Sequence, residues 1–201
     1  MEYPIVGIVA RRGYGKTLLL TKLADTYYKA GIPVFANFSL DIPHYEIDFN
    51  EIATFPPYLH DCVLLIDEAH VGTDAYNFWS KIVKDITDFI TQTRKLHITL
   101  YYSTQVFRQV AKRLRDQTDY IFECEPAMSY NGMRKPDYFR VNIYDKFTDE
   151  YIKTIEYNGR PYYNKYNTDE LILKDREIEK PEDYGKEKKK NLKNNEKALD
   201  K

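Results

Sequence analysis

Ala10-Arg11-Arg12-Gly13-Tyr14-Gly15-Lys16-Thr17 lies between the apolar run Tyr3–Val9 and a stretch, Thr17–Ala30, in which Leu18, Leu19, Leu20, Leu23, Ala24 and Tyr27 recur on a helical period. A short run rich in Ile and Val reads as a buried parallel strand, and the following period reads as a helix that Gly31 ends. A glycine-rich turn from strand to helix converges backbone N–H groups on one point, where the helix dipole favours negative charge. The stretch therefore predicts a phosphate-binding loop formed by Arg12, Gly13, Tyr14, Gly15, Lys16 and Thr17. Lys16 is expected to reach the β- and γ-phosphates, and the Thr17 hydroxyl to bind Mg²⁺. Ala10 stands where the strict G-x-x-x-x-G-K-[ST] pattern has its first glycine, and alanine fits there if its φ is negative. A side chain at Gly15 is expected to crowd the phosphates.

Further along the chain, strand and helix patterns alternate. Pro33–Phe38 reads as a second strand, and residues 39–60 form a proline-containing excursion with a turn of helix at Phe49–Ala53. Cys62–Asp67 is the most apolar strand. Phe78–Lys95 is helical by the spacing of Ile82, Val83, Ile86, Phe89 and Ile90. Ile98–Ser103 is a fourth strand, Phe107–Asp116 a basic helix and Tyr120–Cys124 a fifth strand. Tyr138–Tyr144 and Tyr151–Tyr157 alternate apolar with polar residues, as an antiparallel pair does. The expected fold is α/β in three layers: a mostly parallel central sheet with helices on both faces and an appended antiparallel strand pair.

The strand Cys62–Asp67 runs into Asp67-Glu68. At the carboxyl edge of a parallel sheet, Asp67 can hold the Mg²⁺ shell and Glu68 can act as general base toward an attacking water. Two acids capping a strand would mean little alone. A phosphate loop about fifty residues upstream makes them a site. Asp67-Glu68-Ala69-His70 also spells the DEAH box of a helicase class, but such helicases sandwich nucleotide between two lobes and this length supplies one domain. The fourth strand turns polar at Ser103-Thr104-Gln105. In phosphate-loop proteins that insert a strand between the two nucleotide motifs, its end lies beside the γ-phosphate, where Gln105 can bond phosphate and water together.

These motifs, with Thr91-Gln92-Thr93-Arg94-Lys95 before the strand that ends Ser-Thr-Gln, resemble the FtsK–HerA superfamily of P-loop ATPases. Within it they are similar to the zonula-occludens-toxin-like ATPases of filamentous phages and to the genome-packaging ATPases of archaeal and other membrane-containing viruses. Tyr166-Asn167-Thr168 resembles a segment that follows the core in the toxin-like group. The resemblance implies a RecA-like (ASCE) fold, ATP and Mg²⁺ as cofactors, and a homo-oligomeric ring that translocates DNA in packaging or virion assembly, with a capsid or membrane partner. It further implies an arginine supplied to the neighbouring subunit's site, a role for which Arg94 matches best and Arg113 or Arg115 next. A motor of this kind grips the DNA backbone by charge. Arg108, Lys112, Arg113 and Arg115 on the basic helix, and Arg134-Lys135 in the loop Ser129–Pro136 beside Tyr130, are the candidates. The two rival readings are a small phosphotransferase, such as a nucleoside or nucleotide kinase, and an ATP-dependent assembly scaffold.

Composition sets the outer bounds. With 201 residues, 43% hydrophobic and 15% aromatic, the chain can bury a sizeable core. Thirty basic and 31 acidic residues leave a net charge of −1, which excludes a polycation and confines nucleic-acid contact to local patches. Two cysteines exclude a disulfide scaffold and the four-cysteine metal site of the zinc-containing thymidine kinases. No signal peptide or transmembrane segment is evident, so a reducing cytoplasm (the host's, if the protein is viral) is the expected compartment. Residues 1–173 form the expected ATPase domain. Residues 174–201 carry ten Lys or Arg against eight Asp or Glu with few large apolar residues, and read as a charged tail, either disordered or a loosely attached helix.

Overall fold

A computed structural model describes residues 3–69 and 81–166. His70, Asn167, Thr168 and the charged tail, with the readings attached to them, lie outside the described residues.

The order is β1 (Ile5–Val9), α1 (Lys16–Lys29), β2 (Val34–Ala36), β3 (Tyr45–Glu46), α2 (Phe49–Ala53), β4 (Cys62–Ile66), α3 (Lys81–Gln92), β5 (Ile98–Thr104), α4 (Lys112–Asp116), β6 (Tyr120–Met128), β7 (Arg134–Asp145) and β8 (Tyr151–Asn158). The eight strands form one sheet in the order β3-β2-β4-β5-β1-β6-β7-β8. Pairing is parallel from β3 through β6, and β7 and β8 add antiparallel strands at one side. β5 thus lies between β1 and β4, as the nucleotide motifs require.

The layers follow from strand periodicity. Successive side chains point to opposite faces, so a continuous apolar run feeds two cores. Val6, Ile8, Val63, Leu65 and Tyr101 face Leu18, Leu19, Leu20 and Ala24 of α1. Their neighbours Ile5, Leu64, Ile66, Leu100 and Tyr102 face Ile86, Phe89 and Ile90 of α3 and Leu114 of α4. The expected three-layer arrangement is present. Among the described residues no helix is long and apolar enough to cross a membrane.

Three local readings need correction. Phe107–Asp116 is not one helix: a 3₁₀ turn at Phe107–Gln109 is separated from α4 by Val110 and Ala111, with ψ of 142° and 137°. Both residues are buried, at 0% and 1% exposure. Drawing them into the core decides the backbone over the weak local helix preference. β6 continues past Cys124 to Met128 and carries Pro126 opposite Phe139 beside a register shift, a position where a strand tolerates proline. Finally, Arg134 and Lys135 belong to the start of β7 rather than to the loop.

Candidate nucleotide site

β1, β5 and β4 end at the same edge of the sheet, and the predicted residues gather there. The loop after β1 turns through Gly13 (φ 76°) and Gly15 (φ 86°), both left-handed, while Ala10 is not among the residues with positive φ. Alanine is therefore unstrained in the first-glycine position. Gly15 is the N-cap of α1, and no side chain caps the helix, so its first N–H groups are left to a ligand. The fold adds a cause of its own for glycine at 15. A Cβ there would lie 2.7 Å from the Phe139 ring of β7, and the left-handed φ disfavours any L side chain. Gly13 would meet nothing within 4 Å.

Lys16 is 6% exposed, with its ammonium 3.2 Å from the Ala10 carbonyl and 3.4 Å from that of Arg11. A buried ammonium without such acceptors would cost several kcal/mol, roughly, so the charge is held at the loop by the loop's own backbone. Arg12 and Gly13 are exposed, and Tyr14 packs partly against the α1-side core.

Across β5, Asp67 is 5% exposed and heavily engaged. The Thr17 hydroxyl donates to its Oδ2 at 2.7 Å, the Ser103 hydroxyl donates to Oδ1, and the Glu68 N–H reaches Oδ1 at 3.0 Å. Thr17 and Asp67, predicted from motifs fifty positions apart, are in direct contact. A hydroxyl and a carboxylate are hard oxygen donors, the set that suits Mg²⁺, so the residues present fit that ion. Glu68 follows with φ of 50°, and its Oε1 lies 3.5 Å from Gln105 Nε2, a long contact between base candidate and sensor candidate.

Two further residues at this edge were given no role in the sequence reading. Asn37, just past β2, accepts from the Asp67 N–H at 2.7 Å and donates to the Asp67 carbonyl at 3.0 Å. Ser103, fully buried, bonds Asp67 and accepts from the Glu68 N–H at 3.0 Å. Ser103 belonged to the polar end of β5 already noted. Asn37 gave no signal beyond being a polar residue closing an apolar strand.

The remaining candidates lie elsewhere. Arg94 is exposed in the turn between α3 and β5, at the opposite end of β5 from Glu68. Seven strand residues separate the two, roughly 23 Å. Arg94 is therefore outside the site of its own chain. Arg113 is exposed on α4 and pairs with Asp88 at 3.0 Å, and Arg115 is half-buried on the same short helix. The basic residues do not form one patch. α4 precedes the first residue of β6, whereas Arg134 pairs opposite its last, Met128, about 27 Å away by ordinary strand rise. Lys135 is engaged by Glu156 at 2.8 Å, and the Arg134 guanidinium lies 5.9 Å from the centre of the Phe139 ring. Arg108 and Lys112 are exposed, and Tyr130 is fully exposed at the hairpin tip.

Comparison with known proteins places the fold in a class. No protein-family model and no curated protein sequence matches the chain. Solved structures do. The N-terminal domain of zonular occludens toxin from Neisseria meningitidis superposes with a TM-score of 0.60 at 17% identity, covering 83% of this chain and 100% of that one. The genome packaging NTPase B204 from Sulfolobus turreted icosahedral virus 2, in complex with AMP, gives 0.55 at 16% identity, covering 76% and 97%. A DnaB-like replicative helicase gives 0.55 at 14% identity, covering 77% and 55%. At such identities the likeness is one of fold, and it agrees with the resemblance read from the motifs: the chain has the P-loop NTPase fold, with the sheet and appended antiparallel strands described above.

Proposed function

We propose that this chain is an ATP-hydrolysing DNA translocase, a motor for packaging a viral genome or assembling a virion, acting as a homo-oligomeric ring in the host cytoplasm. The observation that carries the hydrolytic part is the meeting of Thr17, Asp67, Glu68 and Gln105 at one edge of the sheet. Likeness of fold to a genome packaging NTPase and to zonular occludens toxin supports the choice of motor.

In this reading the N–H groups of Arg12–Thr17 hold the phosphates of ATP and Lys16 neutralises the β- and γ-oxygens. Thr17 and Asp67 would hold Mg²⁺, which would supply positive charge to offset that developing on the transferred phosphoryl group. Glu68 accepts the proton of the attacking water, and Gln105, in contact with Glu68, orients that water. Arg94 of one subunit serves the site of the next, a role compatible with its distance from its own site. A guanidinium in that role is worth about 10³–10⁵ in rate where it has been measured. The contacts to DNA are made by Arg108, Lys112, Arg113 and Arg115 in one group and Arg134 and Lys135 in another, and a capsid or membrane partner docks the ring.

The test is the ATPase rate with and without double-stranded DNA across a salt series. The expected result is stimulation that falls steeply as salt rises. Equal rates with and without DNA, together with phosphate transfer to a nucleoside, would favour a phosphotransferase. Binding of ATP without turnover would favour an assembly scaffold.

A further inference from the structure

We propose that Ser103 and Asn37 are positioning residues that lock Asp67 and Glu68 in the conformation used for hydrolysis, an inference resting on the assignment of Glu68 as the base. The β2–β4 ladder ends at Ala36 and Leu65, with the Asn37 N–H still reaching the Leu65 carbonyl at 3.3 Å. The next pair of ladder bonds, at Asp67, is made by the Asn37 side chain, which satisfies both the N–H and the carbonyl of that residue. An amide is suited to this, since it presents one acceptor and two donors in a plane as a peptide unit does. The backbone of Asp67 is thereby fixed on the β2 side.

Ser103 fixes it on the other side and extends the hold by two residues. Its hydroxyl donates to Asp67 Oδ1 and accepts from the Glu68 N–H at 3.0 Å, and its carbonyl accepts from the Ala69 N–H at 2.9 Å. Three consecutive residues after β4 are thus tied to one buried serine of β5. Between these ties Glu68 adopts φ of 50°, a conformation that disfavours any residue with a side chain. Such a residue persists only where its surroundings over-determine it, and strain of this kind collects where geometry serves function. The hydroxyl of Ser103 is the tie that can be removed without altering the strand. Without it, the Glu68 N–H keeps only the Asp67 carboxylate, itself released from Ser103, as acceptor, so that the turn relaxes toward negative φ and the Glu68 carboxylate leaves Gln105.

Two measurements test the lock. In the first, Ser103→Ala should lower kcat for ATP by about 10–100-fold while ADP affinity changes by less than about threefold, because misplacing a reacting group costs rate rather than phosphate binding. Asn37→Ala should lower kcat about tenfold with the same split. Wild-type turnover in Ser103→Ala, or a loss of ADP binding as large as the loss of kcat, overturns the proposal, and wild-type turnover in Asn37→Ala removes Asn37 from it. The second needs no activity. With Ser103 present, Glu68→Gly should melt about 2–4 °C above Glu68→Ala, since glycine accepts a left-handed φ freely. In a Ser103→Ala background that gap should close. A gap that is absent with Ser103, or that survives its removal, contradicts the lock. Wild-type turnover by Glu68→Gln would instead refute the base assignment and leave the melting result standing.

Discussion

Where β1, β4 and β5 finish, Asp67 is buried and its carboxylate is engaged by Thr17, Ser103 and the Glu68 N–H. At the opposite end of the sheet, the carboxylate of Asp61 lies 2.7 Å from His60 Nδ1 and 2.9 Å from His97 Nδ1, with 62% of its side chain exposed. Both ends hold residues with left-handed backbone: Glu68 at the first, Asp61, His97 and Tyr3 at the second. The ingredients match, but their weight differs. A buried carboxylate that loses one partner keeps a desolvated charge, at a cost of about 1–3 kcal/mol or more. An exposed carboxylate exchanges a lost partner for water, and its ion pairs are screened by salt. Burial, more than the number of contacts, separates a built site from a decorated edge.

That contrast can be broken or sharpened by substitution. Lys16→Ala removes the ammonium held by the loop, and ATP affinity should fall by about 100-fold or more, read by titration with a fluorescent analogue. Affinity within a few-fold of wild type would remove Lys16 from the site. Gly15→Ala drives a methyl against Phe139 and forces a left-handed alanine, for a loss of about 3 kcal/mol, or roughly 6–12 °C of melting temperature. Adding Phe139→Leu should recover the part due to the clash and leave the part due to φ, and no recovery would mean the ring is not the obstacle.

Asp25 of α1 is an intermediate case. Its burial, at 6% exposure, disfavours the charge, but hydrogen bonds from Lys29 and Lys165 outweigh that and hold its carboxyl below the ordinary value of 3.8. A depressed carboxyl stabilises the fold above its unfolded value and ceases to do so as pH falls through the folded one. Wild type should therefore melt above Asp25→Asn at neutral pH, and the gap should shrink only below about pH 4. A gap independent of pH would contradict the charge argument. The smallest effect belongs to the exposed end. His60, then His97, hold the Asp61 carboxyl below its usual range, but Asp61→Asn should move the melting temperature by about 1 °C or less at 0.15 M salt. A larger drop would mean that the two ends are more alike than their burial indicates.

Much of this was legible in the sequence because the signals are local. Apolar runs of five to seven residues gave β1, β4 and β5, and the glycines at 13 and 15 gave the loop. What escaped depended on distant parts of the chain. The ring of Phe139 constrains Gly15 from more than a hundred residues away, and no local pattern announces that approach. Asn37 acts at Asp67 only because β2 pairs with β4. The break at Val110 and Ala111 came from burial in the core, which competes with local helix preference and is invisible to it. Motifs named the candidate residues, whereas the side chains that touch them, Asn37 and Ser103, became visible only in the fold.

In the proposed function the loop after β1 and the acidic pair after β4 form one hydrolytic site. Glu68→Gln tests it most directly, with ATP affinity and turnover measured on the same preparation. Affinity should stay within about twofold of wild type while turnover falls about a thousandfold or more. Turnover at the wild-type rate would contradict it.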